Sequence, residues 1–122
     1  MFAAKPVLIV EDNAFVALDL SDAIEHLDGK VVGPTPLVSE ALALLATHEV
    51  AAAIVDGHLP GQDILPLTRL LADRGVPFLL HTTCDIPASI AALHPSVPVL
   101  VKPQRPHLVL ARLLAAIEES KR

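Results

Sequence analysis

The chain has 122 residues, a net charge of −5 and a 52% share of hydrophobic residues, which suits one domain built on a single core. Its aromatic residues are three Phe, and with the acidic balance this argues against a base-stacking platform or a basic grip on phosphate backbones, so no nucleic-acid partner is expected. The single cysteine, Cys84, excludes an internal disulfide and a structural zinc site.

The N-terminal apolar run stops at Glu11-Asp12 and is too short for a signal peptide. Nowhere do about 18 apolar residues follow one another, so no spanning helix and no membrane partner are expected. A cytoplasmic protein is the default.

Val7-Leu8-Ile9-Val10 has the continuous apolar character of a strand buried on both faces. A first helix follows, with Phe15, Leu18, Ile24 and Leu27 as its inward face and Gly29 closing it. Lys30 to Gly33 predicts a second strand that ends at Pro34 and Pro36. The second helix carries Leu37, Ala41, Leu44, Leu45 and His48, with Ser39 as its cap. Ala52 to Val55 is the third strand. Asp63 can cap the third helix, with Pro66 in its first turn. Pro77 to His81 is the fourth strand, and Asp85 can cap a short fourth helix. Pro98 to Val101 is the fifth strand, since Pro is tolerated at a strand's first residue. Pro106 opens a fifth helix.

Strands and helices thus alternate five times. The expected fold is an α/β (βα)5 unit, a doubly wound five-stranded parallel sheet of the flavodoxin-like type. Right-handed crossovers make 2-1-3-4-5 the natural strand order. The working site of such a sheet lies beyond the carboxyl ends of its strands. Those ends carry Glu11 and Asp12, Asp56, Thr82 and Thr83, and Lys102-Pro103.

Three carboxylates brought to one rim repel one another unless a cation neutralises them. An all-oxygen donor set with room for water suits Mg²⁺. An Asp carboxylate beside such an ion can accept a phosphoryl group, whose oxygens a Lys and a hydroxyl would stabilise. Each residue also has a plainer reading. Glu11-Asp12 suits a helix N-terminus, Asp56-Gly57 a turn, Thr82 an ordinary strand and Lys102 a solvated surface. The remaining histidines, His26, His48, His94 and His107, lack metal-ligand spacing, and His81 is expected to be a surface or packing residue.

Four segments taken in order resemble the response-regulator receiver family over essentially the whole chain. Val7 to Asn13 is similar to the family's first strand and acidic pair. Asp56 to Gly61 is similar to its phosphoacceptor loop, with Pro60 four residues after the Asp. Pro77 to Thr82 resembles strand 4 with its switch Thr, and Lys102-Pro103 the Lys-Pro of strand 5. The resemblance implies a CheY-like receiver domain over 1–122. Asp56 would be the phosphoacceptor, Asp12 a direct Mg²⁺ ligand, Glu11 a ligand mainly through water, and the His58 carbonyl a further ligand. Thr82 would report the phosphoryl group, and Lys102, aimed by a cis bond to Pro103, would bind it.

Val99 occupies the place of the usual aromatic three residues before the Lys, and Ile64 that of a common Gly. With Pro98, these features partly resemble the FATGUY subgroup of stand-alone receivers, although strand 4 reads Leu80-His81-Thr82-Thr83. His58 and Cys84 occupy positions that tune the lifetime of phosphorylation in the family.

The implied function is a single-domain response regulator, because the sequence stops just after the fifth helix. It would be phosphorylated by a sensor histidine kinase or phosphotransfer protein and would switch a downstream protein partner or relay phosphate. It would not be an enzyme beyond its own phosphorylation and slow dephosphorylation. The apolar surplus on the fifth helix (Leu108, Val109, Leu110, Leu113, Leu114, Ile117) suits either a wide core face or a homodimer through helix 4, strand 5 and helix 5. Two alternatives stand beside this reading: a phosphorylation-independent interaction module, favoured by Val99, and a phosphotransferase or phosphatase with an aspartyl nucleophile. The latter usually needs a second Asp where His58 stands.

Overall fold

The computed structural model describes residues 1–83 and 85–121. The strands are β1 (Pro6–Val10), β2 (Lys30–Thr35), β3 (Ala52–Asp56), β4 (Phe78–Thr82) and β5 (Val99–Val101). The helices are α1 (Ala14–His26), α2 (Val38–Thr47), α3 (Leu65–Asp73), α4 (Ala88–Leu93) and α5 (Pro106–Ser120). The strands form one parallel sheet in the order β2-β1-β3-β4-β5, as the alternating pattern predicts.

Strand side chains alternate between faces, so each central strand feeds two cores. Leu8, Val10, Ala53, Val55, Phe78 and Leu80 pack with Ala41, Leu45, Leu67, Leu71 and Ile90 on the α2, α3 and α4 side. Val7, Ile9, Ile54 and Leu79 pack with Leu20, Ile24, Val109, Leu110 and Leu113 on the α1 and α5 side. Phe2 is fully buried in that second layer.

Several local expectations are corrected. The inward face of α1 is Ala17, Leu20, Ser21 and Ile24, whereas Phe15 is 81% and Leu18 57% exposed. Two of the four buried positions, Ala17 and Ser21, are small, so counting large apolar side chains misplaces the face. The left-handed residue that ends α1 is Asp28, not Gly29. The Asp28 N–H donates to the Glu25 carbonyl and the Gly29 N–H to the Ile24 carbonyl, the double closure of a Schellman cap.

Strand β2 continues through Pro34 to Thr35. It is an edge strand, where a missing N–H costs little. Its register slips between Leu8 and Val10, so Gly33 and Pro34 share one place opposite Ile9. Gly33 holds φ +92°, and a Cβ there would lie 3.1 Å from the Ile9 carbonyl oxygen, so the bulge needs glycine.

Neither Ser39 nor Asp85 caps a helix, since α2 starts after Leu37 and α4 after Pro87. The start of α2 is held from a distance: Gln62 Oε1 accepts the Val38 N–H at 2.7 Å. Asp63 does accept the Leu65 N–H at 3.0 Å, and Pro106 begins α5. On α5, Val109, Leu110, Leu113, Ala116 and Ile117 are buried, whereas Leu108 is 48% exposed.

Candidate functional site

Parallel strands all point their carboxyl ends to one rim, so the residues closing β1, β3, β4 and β5 become neighbours. Glu11 extends β1 by one ladder bond, its N–H donating to the Thr35 carbonyl at 2.9 Å. Its Oε2 accepts the Asn13 N–H at 3.1 Å. The cap of α1 is Asn13, whose Oδ1 accepts the Phe15 and Val16 N–H groups. Glu11 and Asp12 are therefore released from the capping role that their position would suit. Asn13 directly before a helical pattern was a legible cap signal.

Asp56 is the last residue of β3 and is 4% exposed. Its Oδ1 accepts the His58 N–H at 3.0 Å, and its Oδ2 accepts from Lys102 Nζ at 2.9 Å. Lys102 Nζ also stands 2.7 Å from Glu11 Oε1. The Lys102 main chain is anchored to β4, its N–H donating to the Thr82 carbonyl at 2.7 Å, and the Lys102-Pro103 bond is cis. Asp12, on the exposed side, completes a cluster with Glu11 and Asp56 in which one carboxylate oxygen from each lies within 4.8 Å of the others.

Thr82 closes β4 and is fully buried. A Cβ added at Gly57 would come within 2.8 Å of the Thr82 Cβ, so the residue after Asp56 has to be small for Thr82 to sit where it does. The His58 side chain is exposed, and this residue reaches the cluster through its backbone N–H. Gln62 ties the loop after Asp56 to the start of α2, since its Nε2 also donates to the Pro36 carbonyl. Sequence reasoning missed Gln62 because the residues it joins lie far apart along the chain. Val99 is 39% exposed on β5. Cys84 lies outside the described residues.

Electrostatics follow from this crowding. Burial pushes the Glu11 carboxyl up to about 7, with Asp56 beside it adding to the effect and Lys102 and the Asn13 N–H opposing it. Burial alone would raise Asp56 too. The His58 N–H, Glu11 and Lys102 together outweigh it and hold Asp56 below the ordinary carboxylate value. Burial would lower Lys102, but its two carboxylate partners keep it protonated and raise it. His81 is 2% exposed on the α1 side, with Nδ1 4.0 Å from Glu11 Oε1. Burial, helped by Lys102, depresses it to about 4 against the pull of Asp56.

The donors of the cluster are carboxylate oxygens, two of them on buried residues, and Lys102 pairs with those two, Glu11 and Asp56. That set fits a hard divalent cation of the Mg²⁺ kind and offers nothing to a thiophilic metal.

No protein-family model and no curated protein matches the sequence. Solved structures do. SdrG from Sphingomonas melonis Fr1 is 34% identical, covering 97% of this chain and 99% of that one with a TM-score of 0.77. The BeF3-activated conformation of SdrG from Pseudomonas melonis Fr1 is 36% identical, covering 96% and 98% with a TM-score of 0.74. A response regulator receiver domain protein (CheY-like) from Methanospirillum hungatei JF-1 shares the fold at 20% identity, covering 96% of each chain with a TM-score of 0.83. With this fold, this coverage and the acidic cluster at the strand ends, the chain belongs to the CheY-like response-regulator receiver family.

Proposed function

We propose that the protein is a phosphorylation switch that accepts a phosphoryl group on Asp56 from a sensor histidine kinase or phosphotransfer protein. The observation that carries this reading is the meeting of Glu11, Asp12 and Asp56 oxygens within 4.8 Å, with Lys102 Nζ 2.9 Å from Asp56. An Asp56 carboxylate oxygen attacks the phosphorus of a phosphohistidine. The new O–P bond forms as the P–N bond breaks, and the donor imidazole leaves with the bonding pair and takes up a proton. Asp56 suits this work because its neighbours keep it ionised.

Glu11, Asp12, Asp56 and the His58 carbonyl would hold the ion. Mg²⁺, when bound, supplies charge neutralisation for the acids and the phosphoryl oxygens. Lys102 then follows the charge, passing from the bare carboxylates to a phosphoryl oxygen. Thr82, one strand away, turns its hydroxyl toward the same group. SdrG, a relative 36% identical to this chain, has a BeF3-activated conformation, which supports the same chemistry here.

The output is a protein partner or a homodimer on the face of α4, β5 and α5, where Leu93, Val99, Val101 and Leu108 are all exposed. Phosphorylation would act by shifting a pre-existing equilibrium at that face. No described helix is long and apolar enough to cross a membrane, and the reading places the protein in the cytoplasm, with catalysis limited to its own phosphoryl group.

Incubation with Mg²⁺ and acetyl phosphate, followed by intact-mass measurement, tests the reading. Wild type gains a phosphoryl group, whereas Asp56→Asn and wild type in chelator do not. An unmodified wild type, or an equally modified Asp56→Asn, overturns it.

A further inference from the structure

The paired residues of β1 and β3 end at Val10 and Val55. Beyond them, the segment with Glu11 and Asp12 leaves toward α1, and the loop after Asp56 leaves toward α3. Parallel strands share no turn at their ends, so the span between these two segments needs a tie of its own. The junction of β2 and α2 (35–38) touches both. On one side, the Thr35 carbonyl accepts the Glu11 N–H at 2.9 Å. On the other, Gln62 reaches across from the loop: its Oε1 accepts the Val38 N–H at 2.7 Å, and its Nε2 donates to the Pro36 carbonyl at 3.0 Å. Between these anchors, Thr35 Oγ1 accepts the Leu37 N–H at 3.1 Å.

Gln62 is fixed within its own loop as well. Its N–H donates to the Leu59 carbonyl at 3.0 Å, and Leu59 is fully buried. The His58 N–H in turn donates to Asp56 Oδ1. The amide of Gln62 has one correct orientation, since one partner is a donor and the other an acceptor, and a flipped amide would lose both bonds. No side chain at the start of α2 substitutes for it, because Leu37 stands at the cap and makes no side-chain bond. One amide thus closes a brace that runs from Glu11, through the junction, to the loop of His58.

We infer that Gln62 is a positioning residue for the cation site: it fixes the span between the Glu11-Asp12 segment and the Asp56-His58 loop, and so makes the site prefer Mg²⁺ to Ca²⁺. The inference rests on the reading that this cluster holds a divalent ion beside the phosphoacceptor. Mg²⁺ demands near-ideal octahedral geometry at about 2.0–2.1 Å, whereas Ca²⁺ accepts flexible donor sets at about 2.3–2.6 Å. A braced site favours the smaller ion, and release of the brace weakens Mg²⁺ more than Ca²⁺.

Nuclear magnetic resonance titration of the amide-labelled protein with Mg²⁺ and, separately, with Ca²⁺ tests this in Gln62→Met, which keeps the length of the side chain and removes both bonds. Mg²⁺ affinity should fall about tenfold, as when a group that orients metal ligands is lost, and Ca²⁺ affinity should fall by less. In the metal-free protein the His58 amide resonance should move. Ala43→Gly weakens α2 at an exposed position away from the junction and should leave Mg²⁺ affinity unchanged, which separates bracing from loss of helix stability. The proposal alone is overturned by an unchanged Mg²⁺ affinity or an unmoved His58 amide in Gln62→Met, by an equal fall for both ions, or by a comparable Mg²⁺ loss in Ala43→Gly. A wild type that binds neither ion overturns the cation-site reading and this proposal with it.

Discussion

The centre and the edge of the sheet supply the same rim under opposite physical conditions. β3 and β4 are buried at every residue, and they present Asp56 and Thr82 at 4% and 0% exposure. β5 has three residues, with Val99 and Val101 exposed, and it presents Lys102. The acids and the hydroxyl are therefore held by two packed cores. The ammonium hangs on a short strand held mainly by β4 and by its own charge pairs. A rigid set of acceptors facing a lightly held cation suits a site whose charge changes, because the cation can follow that charge while the core stays still.

Loss of core packing breaks the comparison most severely. Leu79→Ala, in the centre of β4 and fully buried, should cost about 2–5 kcal/mol in urea unfolding. If it cost no more than an edge substitution, the centre would not be the rigid half. Lys102→Met is next: it leaves Glu11 and Asp56 buried without their cation, at a cost of roughly 3 kcal/mol at about pH 8 and less at about pH 6, where protonation of Glu11 relieves the cluster. A cost that did not change with pH would mean that the ammonium does not hold the acids together.

Gly57→Ala sharpens the view of the centre. Its Cβ would press on Thr82 at 2.8 Å, an overpacking of about 1–3 kcal/mol accompanied by a chemical-shift change at Thr82. An unperturbed Thr82 would show that β4 yields at its end.

The pH profile of the metal-free protein separates two buried neighbours. The folded carboxyl of Glu11 sits at about 7 against an ordinary 4.5, so the folded state holds the extra proton between those values and stability falls as pH rises through that window. His81 sits at about 4 against 6.5, so the unfolded state holds the extra proton and stability rises as pH rises from about 4 to 6.5. The two slopes oppose each other where the windows overlap. In His81→Leu the melting temperature should therefore fall more clearly between about pH 5 and 7 than in wild type. A flat profile in that variant would mean that Glu11 is not protonated near neutrality.

The smallest effect belongs to the edge. Val101→Thr, at a residue 58% exposed, should change stability by less than about 0.5 kcal/mol. A larger loss would mean that β5 is held more tightly than its exposure indicates.

The β-α alternation and the identity of the residues at the strand ends were legible in the chain, because buried strands are short apolar runs and their next residue must sit at the rim. Glu11, Asp56, Thr82 and Lys102 could be named on that ground. The inward face of α1 could not, since Ala17 and Ser21 carry too little hydrophobicity to outweigh Phe15 and Leu18 in any pattern. The succession of strands and helices and the strand order follow from short apolar runs and chain handedness, and these are what the sequence by itself determined. The tertiary structure alone decided that Lys102 bridges Glu11 and Asp56, that Gln62 holds the start of α2, and that His81 is buried beside Glu11. Each of these joins residues from different segments, and the energy of such a contact depends on distances that exist only after the chain has closed.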